Sequence, residues 1–200
     1  MTKRSKMQEV VALTRRHGIL RPRDLAPARI PRSYLQRLVE RGVLERTGRG
    51  LYRLADHDAA EHHSLAEGCK RVPHGVICLL SALRFHDLTT QAPFEVWMAI
   101  DLKARAPVAG YPPLRIVRMS GEARTTGIEE HRVEGVVVRV YSSAKTVADC
   151  FKYRNKVGLD VAIEALRDYR RARGNADDLW RHARVCRVAN VIRPYLEATA

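Results

Sequence analysis

Three helix-forming stretches followed by a short basic hairpin, all within about 55 residues, constrain this chain more than any other feature of its sequence. Lys6–His17 repeats Val10, Leu13 and Thr14 near helical spacing, with Met7 on the same stripe. Gly18 closes it, and Arg15, Arg16 and His17 fill its last turn, where cations suit the helix dipole. Pro22–Leu25 opens a second, short helix on a proline. Residues 31–41 form a third, with Pro31 at its first position, Gly42 behind it, and Leu35, Leu38 and Val39 as its apolar face. Residues 43–46 and Leu51–Leu54 then read as strands around the tip Thr47-Gly48-Arg49-Gly50. That order is a winged helix-turn-helix.

Charge points the same way. The 200 residues carry a net charge of +14, and residues 1–56 hold 14 Lys and Arg against 5 Asp and Glu. An excess concentrated in one quarter of a chain marks the part that meets a polyanion. On the third helix the face opposite Leu35 and Leu38 presents Arg32, Ser33, Gln36 and Arg37 as one stripe of i, i+4 neighbours. Arg pairs with guanine O6/N7 and Gln with adenine N6/N7 in the major groove, so Arg32, Gln36 and Arg37 are the candidate base readers. Ser33 and Tyr34 are candidate phosphate contacts, and Arg46, Thr47 and Arg49 supply the wing. The expected partner is double-stranded DNA.

Residues 56–60 are the expected boundary, dividing a DNA-binding domain (1–56) from a second domain (57–200). Beyond it, residues 62–72 and 76–86 read as helices and 94–100, Leu114–Met119 and Val136–Tyr141 as strands. Residues 103–113, rich in proline, form a loop. Ser142-Ser143 caps a helix over 144–156, and helices over 160–173, 177–188 and 191–196 follow. The predicted fold class is α+β: an N-terminal winged helix-turn-helix, then a mixed α/β domain with a helical tail. Cys69, Cys78, Cys150 and Cys186 form no CxxC pair and read as buried free thiols. No apolar run reaches membrane-spanning length and no signal sequence opens the chain, so a cytoplasmic protein without a membrane partner is expected.

Gly18-Ile19-Leu20 through Asp24-Leu25, residues 30–44 around Tyr34-Leu35-Gln36-Arg37-Leu38, and Gly48-Arg49-Gly50-Leu51-Tyr52 resemble the N-terminal domain of AbiEi-type antitoxins of type IV, abortive-infection toxin–antitoxin systems. Leu80-Ser81-Ala82-Leu83 ahead of His86-Asp87-Leu88-Thr89, the strand around Val96-Trp97-Met98-Ala99, and Tyr141-Ser142-Ser143-Ala144-Lys145-Thr146-Val147-Ala148-Asp149-Cys150-Phe151-Lys152-Tyr153-Arg154 are similar to that family's C-terminal region. The resemblance implies an autorepressor that binds an operator with inverted repeats; a monomer or weak dimer is expected. It also implies an antitoxin that counteracts a nucleotidyltransferase-like toxin without a stable complex. Lys145, Lys152 and Arg154, the basic residues of the most family-like segment, are the candidates for the C-terminal function.

Other patterns carry less. His62-His63 with Glu61, Glu67 and Cys69 fits no zinc spacing, and Ser81 with His86-Asp87 is no triad by sequence proximity alone. No metal, cofactor or catalytic group is expected. Two alternatives remain open at this point. One is an enzyme acting on nucleic acid, for which Asp101, Glu129, Glu130 and Asp149 are the available carboxylates. The other is a plain transcriptional regulator without a toxin.

Overall fold

The computed structural model describes residues 5–55 and 62–198. The expected boundary at residues 56–60 lies outside them.

Helix α1 (Lys6–His17) starts from a capping box: the Ser5 side chain accepts from the Gln8 N–H, and the Gln8 side chain accepts from the Ser5 N–H. Pro22–Leu25 is a single 3-10 turn, and α2 (Ser33–Glu40) begins two residues after Pro31. Strands β1 (Leu44–Gly48) and β2 (Leu51–Leu54) pair antiparallel, with a bulge between Arg46 and Gly48. Val10, Leu20, Leu25, Ile30, Leu35, Leu38 and Leu44 make one buried core for these elements. Three helical segments and a two-stranded wing around one core constitute the predicted winged helix-turn-helix.

Helix α3 (His63–Arg71) leads into a five-stranded sheet of order β5-β4-β3-β7-β6. Its members are β3 (Val76–Ile77), β4 (Val96–Asp101), β5 (Leu114–Met119), β6 (Ile128–Val133) and β7 (Val136–Tyr141). One expectation is corrected here. The helix read over 76–86 begins only at Leu79, as α4 (Leu79–Phe85). Val76 and Ile77 pair instead with β4, and Ile77 also pairs with Val140 of β7, which makes them the middle of the sheet. A short apolar run has no periodicity to separate buried strand from buried helix. Glu129 and Glu130 lie exposed on edge strand β6, whose charged residues guard an unpaired edge.

Helix α5 (Glu122–Thr125) joins β5 to β6. The tail comprises α6 (Ser143–Lys152), α7 (Arg154–Val157), α8 (Leu159–Arg171), α9 (Ala176–Val185) and α10 (Ala189–Ala198). Ser142 caps α6, as its sequence suggests, but the helix stops at Lys152 and restarts as α7. α4, α6, α8 and α9 contribute to one apolar core with Trp97, Val117 and Tyr141, while α3 shares the other with Met98, Ile100, Val138 and Val140.

That second core also contains Ile19 and Leu51, so the winged helix is seated on the α/β domain. The β6–β7 turn, Glu134-Gly135, has both residues at positive φ and passes directly over the end of α1. A Cβ on Gly18 (φ +62) would lie 1.5 Å from the Glu134 carbonyl oxygen. Gly42 also has positive φ (+66), yet a Cβ there meets nothing within 4 Å. Gly42→Ala should therefore cost only the backbone term, about 1–2 kcal/mol. Gly18→Ala should cost clearly more, because the β6–β7 turn must also move away. Urea unfolding of the two variants checks this; equal losses would mean that the close approach carries no energy.

Candidate nucleic-acid interface

The stripe on α2 is built as its spacing requires. Leu35 and Leu38 are buried, and Arg32, Ser33, Gln36 and Arg37 are exposed on the opposite face. Pro31 and Arg32 accept the first N–H bonds of the helix, from Tyr34 and Leu35, which places Arg32 at its leading end. Gln36 Nε2 donates to Glu40 Oε1 at 3.2 Å, a bond that must be exchanged when the amide takes a base edge. The Arg37 guanidinium sits 5.5 Å from the Tyr34 ring centroid. Tyr34 packs partly buried on the N-terminal core, so it is a platform for Arg37 and a core-edge residue.

On the wing, Arg46 and Arg49 are exposed, and Arg46 Nε donates to the Gly48 carbonyl across the bulge. Thr47 is a correction. Its Oγ1 is buried without a hydrogen-bond partner among the described residues, so it presents no donor at the surface. Arg53 is held by Glu45 across the β1–β2 pair. Arg21 and Arg23 contribute to the sequence reading only through net charge. In the fold they flank Pro22 beside the wing. The signal that could have marked them is a basic residue on each side of a helix-opening proline.

Lys145 is the second correction. It is fully buried on α6, its Nζ 2.5 Å from Asp149 Oδ2 and 4.3 Å from the Tyr141 ring centroid. Asp149, equally buried, also accepts from the Cys186 thiol at 3.2 Å. Burial, with Asp149 adding to it, pushes that thiol up to about 12. Lys145 therefore belongs to a buried ionic cluster and cannot join a surface patch with Lys152. Lys152 is exposed beside the Tyr153 ring with Lys156. Arg154 is half-buried and donates to the Phe151 carbonyl. All four cysteines are free and buried, as read from the sequence.

The remaining candidates are dispersed. Asp101 faces Arg124, Glu129 faces His131 and Glu130 faces Arg139, so the carboxylates do not share one locus. Ser81 Oγ accepts from the Trp97 N–H, and His86 Nε2 bonds the Tyr141 carbonyl. Glu61 lies outside the described residues. Among those described, no three His, Cys, Asp or Glu side chains are placed to hold a metal ion, and no helix is long and apolar enough to cross a membrane.

His63 has a different role from the metal reading. Its Nδ1 is 2.6 Å from Glu134 Oε2 and its Nε2 3.5 Å from buried Glu67, with Arg53 of the wing also 3.5 Å from Nε2. Hydrogen bonding to Glu67 raises the His63 pKa, burial opposes the rise, and Glu134 adds to it. Because the folded value lies above the unfolded one, about 6.5, the stabilisation is complete below that pH and is lost as pH rises through the folded value. The difference in Tm between the native chain and His63→Gln should be largest in mild acid and shrink above neutrality. A difference that grows with pH would contradict the assignment.

The N-terminal elements form a winged helix-turn-helix with an exposed basic stripe on α2 and exposed arginines on the wing. Residues 8–55 match the family model described as transcriptional regulator, AbiEi antitoxin. The crystal structure of the RV2827C protein from Mycobacterium tuberculosis superposes with a TM-score of 0.58 at 13% identity, over 92% of this chain and 77% of that one. At that identity the likeness concerns the fold alone. No curated protein matches the chain.

Proposed function

We propose that the protein is a DNA-binding autorepressor and the antitoxin of a type IV toxin–antitoxin system, working in the cytoplasm against a nucleotidyltransferase-like toxin without a stable complex. The observation that carries the DNA reading is the exposed stripe of Arg32, Ser33, Gln36 and Arg37 on α2, inside the segment that matches the antitoxin regulator family. Arg32, Gln36 and Arg37 read base edges; Ser33, Arg46 and Arg49 hold the backbone. Inverted repeats in the operator accommodate two copies, as monomers or a weak dimer. Residues 57–200 carry the antitoxin activity.

Competition binding with the upstream region of its own gene tests the residue roles. Gln36→Ala should cost about 1–3 kcal/mol on the cognate duplex and relax specificity, whereas Arg49→Ala should weaken cognate and random duplex alike. An unaltered ratio of specific to non-specific binding in Gln36→Ala would remove α2 from base recognition.

A further inference from the structure

Beside the wing lies a cleft of about 500 Å³ whose charged lining is entirely arginine: Arg21, Arg23, Arg49 and Arg71. Arg71 builds the far wall. Its guanidinium donates to the carbonyls of Val108, Gly110 and Pro112 and so pins the proline-rich loop in place. The other three are available. Arg23 and Arg49 are exposed and make no ion pair among the described residues. Arg21 is half-buried, and its Nη2 is buried with no hydrogen-bond partner. The adjacent carboxylate, Asp24, is engaged by the Arg21 backbone N–H at 2.9 Å and by Lys70 at 3.5 Å. Gathering four guanidinium groups around one space with no carboxylate in its lining is unfavourable until an anion enters. Burial and, after it, the charge of Arg23 hold Arg21 below its ordinary pKa, and Asp24 only partly offsets them. The rim adds two apolar groups, Val108 at 71% and Tyr111 at 62% exposure.

We propose that this cleft binds a phosphorylated small molecule of the nucleoside diphosphate class. Arg21, Arg23 and Arg49 hold the phosphates, and Tyr111 and Val108 meet the base. Guanidinium forks match phosphate oxygens bidentately, and the volume falls in the range of small-ligand sites. Because Arg49 belongs both to the cleft and to the wing tip, an occupied cleft withdraws Arg49 from the DNA backbone and weakens operator binding. That last consequence rests on the DNA reading above; the site itself does not.

The test uses the full chain with ADP and inorganic pyrophosphate as probes, by calorimetry at fixed ionic strength and without DNA. ADP should bind saturably below the millimolar range. Arg21→Gln and Arg23→Gln should each weaken it about tenfold or more. Tyr111→Ala should weaken ADP but leave pyrophosphate unchanged. Arg23 is a surface residue, so its variant stays informative if Arg21→Gln lowers stability. ADP should then reduce affinity for labelled operator duplex severalfold. Binding of ADP that is unaltered in both arginine variants would overturn the site. If neither probe saturates while Arg21→Gln weakens duplex binding, these arginines serve the DNA backbone and the small-molecule site is overturned. Loss of duplex binding under all conditions with ADP binding intact would refute the DNA reading and leave the site standing.

Discussion

Lys145→Ala is expected to be among the most damaging single substitutions in the C-terminal domain, costing about 3–5 kcal/mol. The reason is asymmetric. Lys145 and Asp149 are both fully buried and meet at 2.5 Å. Removing the ammonium leaves a buried carboxylate that, among the described residues, keeps the Cys186 thiol as its side-chain donor. Removing both charges together avoids that penalty, so Lys145→Met combined with Asp149→Leu should be far milder than Lys145→Ala alone. Urea unfolding measures both. A loss within about 1 kcal/mol for Lys145→Ala would place the pair in a solvated site and contradict the burial. In a toxin co-expression assay, Lys145→Ala should lose rescue together with its fold. Lys152→Ala and Arg154→Ala should stay folded, so only they test the proposed antitoxin role of this segment.

The second large effect is expected on DNA. Replacing Arg32, Arg37, Arg46 and Arg49 together by Gln should abolish measurable duplex binding at physiological salt and leave Tm nearly unchanged. All four side chains are exposed; Arg37 lies over the Tyr34 ring and Arg46 donates to the Gly48 carbonyl. Removing one arginine–phosphate interaction should flatten the slope of log K against log salt by about one. Retained binding with an unchanged slope would move the interface off this face.

The N-terminal domain was legible in the sequence because its signals are local. Gly18, Pro22 and the Gly48-Arg49-Gly50 tip punctuate the chain where backbone chemistry demands it, and Lys6–His17, Pro22–Leu25 and Leu51–Leu54 form over the residues they mark. The failures are non-local. Val76 and Ile77 are strand only because β4 and β7 flank them. Gly18 reads as a helix stop, and its approach to Glu134 depends on a turn more than a hundred residues away. Lys145 and Asp149 look like an ordinary surface pair at i, i+4. What separates them is the company of Ala144, Val147, Ala148, Cys150 and Phe151, with which α6 is buried on every side from Ala144 to Phe151. The arginine cleft was missed for the same reason, since Arg71 and the loop that it pins lie far along the chain from Arg21, Arg23 and Arg49.

The most direct test of the central claim is the affinity of the full chain for a duplex from upstream of its own gene, measured from about 50 to 200 mM salt. The expected result is a steep linear fall of log K with log salt, together with tighter binding than to a scrambled duplex of equal length. Affinity that stays flat with salt, or that is equal for both duplexes, would contradict an operator-binding winged helix.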